Sequence, residues 1–278
     1  MTTEARSVAL GAFDGVHLGH RRVIEAAQAA GLPTTVLTFD PHPRIVLGNQ
    51  VELLTTLERR VELLSDLGVE VVVVRFTPDM ALATPEEFAD EILRPLGAEV
   101  VVAGANFRFG RGRSGDLETL EQLGFDVRPI PLVEGISSTR IRELVRAGEV
   151  EAAAQLLGRA HEVEGNVVSG DARGGTLGYP TANLAVPSEV IVPAYGIYAG
   201  RVGEHRAAIS IGVNPHYGGQ ERRVEAFLLD FEGNLYGDHL FVELWQRLRD
   251  ERAFDSEQEL IDQIGRDVEA TRAATPPV

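Results

Sequence analysis

The stretch Ser7-Val-Ala-Leu-Gly-Ala-Phe-Asp-Gly-Val-His-Leu-Gly-His-Arg21 runs from a short apolar segment through a glycine-studded turn into a helical pattern. A strand that ends in such a turn and continues as a helix is the ligand-binding corner of parallel α/β folds. Glycines 11, 15 and 19 let backbone approach a ligand closely, and the new helix offers free N–H groups to an anion. His17 and His20 lie three apart, a spacing that turns both imidazoles toward one phosphate. Outward from this corner the same alternation repeats. Strands are expected at 7–10, 34–39, 69–76, 99–103 and 125–130, with helices at 21–30, 57–67, 85–93 and 116–122. Crossovers of this kind require a parallel sheet, hence a doubly wound, Rossmann-like α/β domain. The unbroken valines 71 to 74 read as a central strand covered on both faces.

Two short helices follow at 138–147 and 150–157, and then the texture changes to short strands joined by glycine- and asparagine-containing turns. Strands at 162–168, 196–202, 207–212, 223–231 and 239–245 predict a small antiparallel β-barrel closed by a C-terminal helix from Ser256 to about Ala270. The domain border is placed between residues 158 and 159, giving domains 1–158 and 159–278. The 278-residue length suits two domains of roughly 150 residues each.

Composition removes several chemistries. There is no cysteine, which excludes disulfides, thiolate metal sites and cysteine nucleophiles and points to a reducing, cytoplasmic setting. All 26 basic residues are arginine, so neither a Schiff-base lysine nor a P-loop lysine is available. A net charge of −16 opposes broad binding to nucleic acid or to an anionic membrane, and no apolar run approaches the ~20 residues of a membrane span. Small ligands are the expected partners. The sequence leaves the oligomeric state open.

Three further clusters carry chemistry. Ile136-Ser-Ser-Thr-Arg-Ile-Arg142 sets three hydroxyls at a helix start, and capping uses one of them. The remaining donors together with Arg140 and Arg142 suit a polyphosphate. Asn106, past the strand at 99–103, stands where a base or ribose would lie. In the second half, a glycine-rich loop that includes Gly174 leads into Thr181 and Asn183, which share a face if the segment is extended. Their hard oxygens suit Mg²⁺ carrying a nucleotide. Glu225 falls on one strand face with Phe227 and Leu229. It either acts as a general base with its pKa raised by desolvation or pairs with Arg222 or Arg223.

In order and spacing, Gly11-Ala-Phe-Asp-Gly-Val-His-Leu-Gly-His20, Thr38-Phe-Asp-Pro-His-Pro-Arg44, Asn106-Phe-Arg-Phe-Gly110 and Ile136–Arg142 resemble the first half of the bacterial bifunctional riboflavin kinase/FMN adenylyltransferase family, the FAD synthetases. Leu177-Gly-Tyr-Pro-Thr-Ala-Asn183, Ile211-Gly-Val-Asn-Pro-His-Tyr217, Val224-Glu225, Leu235-Tyr-Gly237 and Phe254-Asp-Ser256 are similar to its kinase half. The resemblance implies phosphorylation of riboflavin to FMN and adenylyl transfer from ATP to FMN, giving FAD. It implies that His17 and His20 stabilise charge on the α-phosphate of ATP, and that Gly11, Phe13, Asp14, Gly19, Asn106 and Ser137 belong to the nucleotide site. Ser138, Thr139 and Arg142 would hold the β- and γ-phosphates. In the second half Gly174, Thr181 and Asn183 would bind ATP, the last two through Mg²⁺, and Glu225 would deprotonate the ribityl hydroxyl. Three positions depart from the family pattern: Gly135, Gly175, and the His216-Tyr217 pair.

Overall fold

The computed structural model describes residues 4–169, 181–213 and 222–278. Contacts divide the chain into two compact units, Met1–Ser138 and Thr139–Val278. In the first, strands β1 (Arg6–Leu10), β2 (Thr34–Asp40), β3 (Glu70–Arg75), β4 (Ala98–Gly104) and β5 (Asp126–Ile130) form one sheet in the order β3-β2-β1-β4-β5. Every neighbouring pair is parallel. Alternate side chains of β1 go to opposite faces, as the pleat dictates. Ala9 packs with Val23, Ile24 and Ala27 of helix α1 (Leu18–Gln28), while Val8 and Leu10 pack on the other face with Phe88, Leu117 and Leu120. The outcome is three layers, helix on sheet on helix.

The run of valines is not central. β3 is an edge strand, and Val73 is 38% exposed. Four β-branched residues in a row report strand propensity, whereas burial follows position in the sheet, and that position is held by β1. Helix formation between strands follows local capping. Helix α2 (Pro43–Val46) is a single turn with proline in its first turn, and Thr56 caps helix α3 (Leu57–Ser65) by accepting from the Arg59 amide. Thr84 and Glu87 form a reciprocal capping box at helix α4 (Pro85–Phe88), which runs on as a π turn to Leu93. Asp116 and Thr119 make a similar reciprocal cap at helix α5 (Leu117–Gln122).

Helix α6 (Ser138–Ala147) has its first residue in the first unit and the rest in the second, where helix α7 (Val150–Leu157) precedes the barrel. Strands β6 (His161–Val168), β7 (Ala182–Ala185), β8 (Gly196–Val202), β9 (His205–Val213), β10 (Arg222–Leu228) and β11 (His239–Arg249) close in the order β10-β7-β6-β11-β8-β9. All of its ladders are antiparallel. Val150 of α7 joins the barrel core beside Val163, Ile209, Val224 and Ala226. Contacts therefore group α6 and α7 with the barrel, whereas sequence texture places the change at 158/159. Helix α8 (Glu257–Ala273), capped by Ser256, packs on β8 and β9. It is latched by Asp267, whose carboxylate takes the Arg249 guanidinium at 2.7–3.1 Å.

His161 opens β6 fully buried, and burial, with the charge of Arg159 adding, lowers its pKa to about 3. Its Nε2 has no hydrogen-bond partner among the described residues. Unfolded, the ring takes a proton from its ordinary 6.5 downward, while the folded chain refuses it until about pH 3. Stability is therefore complete above pH 6.5 and lost across that window, by at most about 1.4 kcal/mol per pH unit from this group. Urea unfolding of the barrel at pH 7 and pH 5 is expected to show this loss in the unaltered chain and a smaller one in His161→Leu. An equal loss in both would contradict the assignment.

Candidate active sites

In the first unit the site is built where the sheet order reverses, at the carboxyl ends of β1 and β4. The loop after β1 turns sharply: Phe13 and Val16 adopt φ of 50° and 40°, and Gly15 adopts 82°. Left-handed backbone at non-glycine residues stores strain, and such strain concentrates at binding loops. His17 ends the loop as the N-cap of α1, its Nδ1 accepting from the His20 amide at 3.2 Å. That bond assigns the tautomer: the neutral ring carries its proton on Nε2 and presents it as a donor. The two imidazoles stack with centroids 3.5 Å apart and planes 14° from parallel, an arrangement the spacing allows. Phe13, 1% exposed, supports His20 edge-on at 5.2 Å.

A side chain at residue 19 would crowd the His17 ring. A Cβ there would stand 3.1 Å from His17 Cε1 and 3.2 Å from Nδ1. Gly19→Ala is accordingly expected to displace the His17 ring and to slow the chemistry of this site by about tenfold, with little change in unfolding temperature. Kinetics beside a melting curve would read both, and unaltered kinetics would remove the constraint.

The sequence groups Asp14 with nucleotide ligands, and the structure places it inside, 1% exposed. Its carboxylate accepts from the amides of Leu54 and Thr55 at 2.9–3.2 Å, pinning the loop to the segment before α3. Ser138 Oγ donates to the Asp14 carbonyl at 3.1 Å, so this hydroxyl also holds the loop. The three hydroxyls do not all precede the helix: α6 begins at Ser138, and only Ser137 stands outside it. Thr139 is exposed on the first turn, and Arg142, one turn on, is 5% exposed.

Gly11 and the exposed Asn106 line a cavity of about 390 Å³. Phe39, Phe76, Phe88 and Phe109 form its apolar wall. Arg44, Arg108 and Arg113 also line it. Aromatic faces with guanidinium groups beside them suit a flat conjugated ring that carries a phosphate. Sequence reasoning passed over this wall, because its phenylalanines come from four separate segments.

In the second unit period-two alternation holds along β10. Val224, Ala226 and Leu228 fill the barrel, and Glu225 faces outward. Glu225 lies directly opposite Asn183 of β7 and Ser210 of β9. Of the two sequence readings of Glu225 the geometry shows the pairing with Arg223, through one oxygen at 3.0 Å, and the other oxygen accepts from Thr181 Oγ1 at 3.4 Å. Its side chain is 27% exposed, so the full burial expected from sequence is not reached.

Two cavities meet here. One of about 660 Å³, with Glu225, Phe227, Ser210 and Arg249 among its lining residues, lies beside α8. The other, about 610 Å³, is lined by Asn183, Ser169, Phe231 and Asn234. Thr181 lines both. Asn183 is 8% exposed, and its Oδ1 has no hydrogen-bond partner among the described residues. A buried amide oxygen without a donor is costly unless a cation or a ligand donor meets it, so the residues present fit a hard metal ion. Gly174, Gly175, His216 and Tyr217 lie outside the described residues, while Gly135 is exposed with φ 74°.

Among the described residues no helix is long and apolar enough to cross a membrane. A family model for FAD synthetase matches residues 1–142, and one for riboflavin kinase matches residues 157–275. The bifunctional riboflavin kinase/FMN adenylyltransferase of Listeria monocytogenes is 40% identical over 96% of this chain and 91% of its own. The Bacillus subtilis protein of the same description is 37% identical over 95% and 91%, and that of Escherichia coli 36% over 93% and 89%. A crystal structure described as a macrolide-efflux protein from Streptococcus pneumoniae superposes with a TM-score of 0.88 at 36% identity, covering 97% of this chain and 95% of that one. With two catalytic modules matched in order and relatives alike over nearly their whole length, the chain belongs to the bifunctional riboflavin kinase/FMN adenylyltransferase family.

Proposed function

We infer that this chain phosphorylates riboflavin to FMN with ATP and then transfers the adenylyl group of a second ATP to FMN, releasing pyrophosphate and FAD. The observation that carries the kinase step is Thr181, which lines two adjoining cavities and hydrogen-bonds Glu225 on the wall of the larger one. A nucleotide in the cavity beside Asn183 and a flavin in the cavity beside Phe227 bring a γ-phosphate and a ribityl hydroxyl together at that carboxylate. Glu225 takes the hydroxyl proton as the ribityl oxygen forms its bond to the γ-phosphorus and the bond to the β-phosphate oxygen breaks. Arg223 fixes Oε1, and Oε2, which accepts from Thr181, keeps a second lone pair for the substrate proton. Thr181 and Asn183 are the proposed Mg²⁺ ligands, and the ion supplies charge neutralisation on the phosphates when bound.

Adenylyl transfer needs no base, because the FMN phosphate is already anionic. An FMN oxygen forms the bond to the α-phosphorus, and pyrophosphate departs. His17 Nε2–H and the stacked His20 neutralise charge that grows on the α-phosphate oxygens. Gly11, Gly19 and the helix start approach the phosphates, and Asn106 is assigned to base or ribose. Phe13 and Asp14 serve the nucleotide site by holding its loop. Ser137, Ser138, Thr139 and Arg142 are assigned to the β- and γ-phosphates on the family resemblance. The aromatic cavity with Arg44, Arg108 and Arg113 suits FMN. We assign adenylyl transfer to residues 1–158 and the kinase to 159–278. The absence of cysteine from the sequence supports a cytoplasmic setting.

Incubation of the purified chain with riboflavin, ATP and Mg²⁺, followed by chromatography of the flavins over time, tests this reading. FMN followed by FAD is the expected result. Bound flavin without turnover would overturn it.

A further inference from the structure

Behind the wall of the aromatic cavity lies a guanidinium that the sequence did not single out. Arg60, on α3, is 1% exposed. Its Nη1 donates to the Ala12 carbonyl at 3.2 Å and its Nη2 to the Phe39 carbonyl at 3.1 Å. The carboxylate it pairs with, Asp40, stands 3.9 Å away and is 41% exposed. Taking a guanidinium out of water costs several kcal/mol, and the attraction of Asp14, Asp40 and Glu58 does not make it up, since burial still lowers the Arg60 pKa. For packing alone an apolar side chain of this length would serve better. The return on the buried charge lies in the two carbonyls, one just after β1 and the other near the end of β2. Ala12 and Phe39 both line the cavity, and Ala12 begins the strained turn that leads to His17. Thr38 Oγ1 supplies a second donor to the Ala12 carbonyl at 2.9 Å.

We propose that Arg60 is a positioning residue for adenylyl transfer: by holding the carbonyls of Ala12 and Phe39 it fixes the spacing between the phosphate-binding loop and the aromatic wall facing it. The assignment rests on the adenylyltransferase reading given above. Misplacing reacting groups by about 1 Å costs on the order of 100-fold in rate, so loss of this tie acts mainly on kcat. Thr38 shares the same carbonyl, and the two residues are coupled.

The test uses the full chain and the variants Arg60→Met, Arg60→Lys, Thr38→Val and Arg60→Met with Thr38→Val. It reads kcat and KM for FAD formation from FMN and ATP, riboflavin phosphorylation in the same samples, and thermal unfolding. Arg60→Met is expected to lower kcat for FAD formation about 10- to 100-fold, with riboflavin phosphorylation unaltered. Arg60→Lys, which retains a cation able to reach one carbonyl, recovers most of the loss. Thr38→Val loses less, and the double variant loses less than the product of the single effects. A kcat within about twofold of the unaltered chain in folded Arg60→Met, or a lysine variant no better than methionine, overturns the assignment. If Arg60→Met does not fold, Thr38→Val decides, since unaltered kinetics there overturn it equally. An unaltered chain that makes no FAD from FMN overturns the adenylyltransferase reading and this assignment with it.

Discussion

Glu225→Gln is expected to lower riboflavin phosphorylation by about 10³-fold while the same preparation converts supplied FMN to FAD at its ordinary rate. Glutamine keeps the length, the planar end and one oxygen of the carboxylate, so the contact with Thr181 can persist. What it loses is the capacity to accept a proton. The proposed substrate is an alcohol, which attacks phosphorus poorly until its proton has somewhere to go, and Glu225 Oε2, bonded to the Thr181 that lines both cavities, is the proposed acceptor. Loss of the ion pair with Arg223 is a smaller matter: Glu225 and Arg223 are 27% and 25% exposed, and partly exposed pairs contribute about 1 kcal/mol or less. A fall in melting temperature large enough to explain the kinetic loss would therefore be unexpected. Adenylation is the internal control, because its residues belong to a different module. Kinase activity within about tenfold of the unaltered chain would remove Glu225 from the role of base.

How far these sites could be read from the chain depends on the range over which their causes act. The β1 corner was legible because its signals are consecutive: a strand, three glycines and two histidines three apart, whose rings stack with the first as the extended N-cap of α1. Glu225 was legible because β10 alternates strictly, with Val224, Ala226 and Leu228 packed inward. β7 was visible only as an extended segment, since four residues give too short a period to separate a strand from a loop. The edge position of β3 was not legible, because strand order is set by crossovers and not by the valines themselves. Arg60 and Asp14 were missed as structural ties for a related reason: their partners are backbone groups 21 to 48 residues away, which carry no sequence signature. Ser138 was read only within the hydroxyl cluster expected to hold phosphates, yet its hydroxyl reaches the Asp14 carbonyl 124 residues earlier.

His20→Ala is the sharper of the two tests on the histidine pair, and it is expected to reduce FAD formation by about 10²- to 10³-fold with FMN formation intact. His17 caps α1 through its side chain, so His17→Ala would also remove a cap worth about 1 kcal/mol and would mix stability with chemistry. His20 contributes its backbone amide to that cap, which alanine retains, and alanine is the best helix former. The ring of His20 is what the substitution takes away, together with its stacking on His17 and its edge contact with Phe13. With no lysine anywhere in the chain, positive charge or N–H donors at the α-phosphate must come from imidazole, guanidinium or backbone. On the proposed assignment, removing one imidazole takes away a large share of what stabilises the transition state, whereas ATP binding, assigned also to the helix start and the hydroxyl cluster, is expected to change less. The expected signature is a loss in kcat with KM for ATP within about threefold. Equal loss of FAD and FMN formation would mean that the two reactions share one site, which is incompatible with separate catalytic modules.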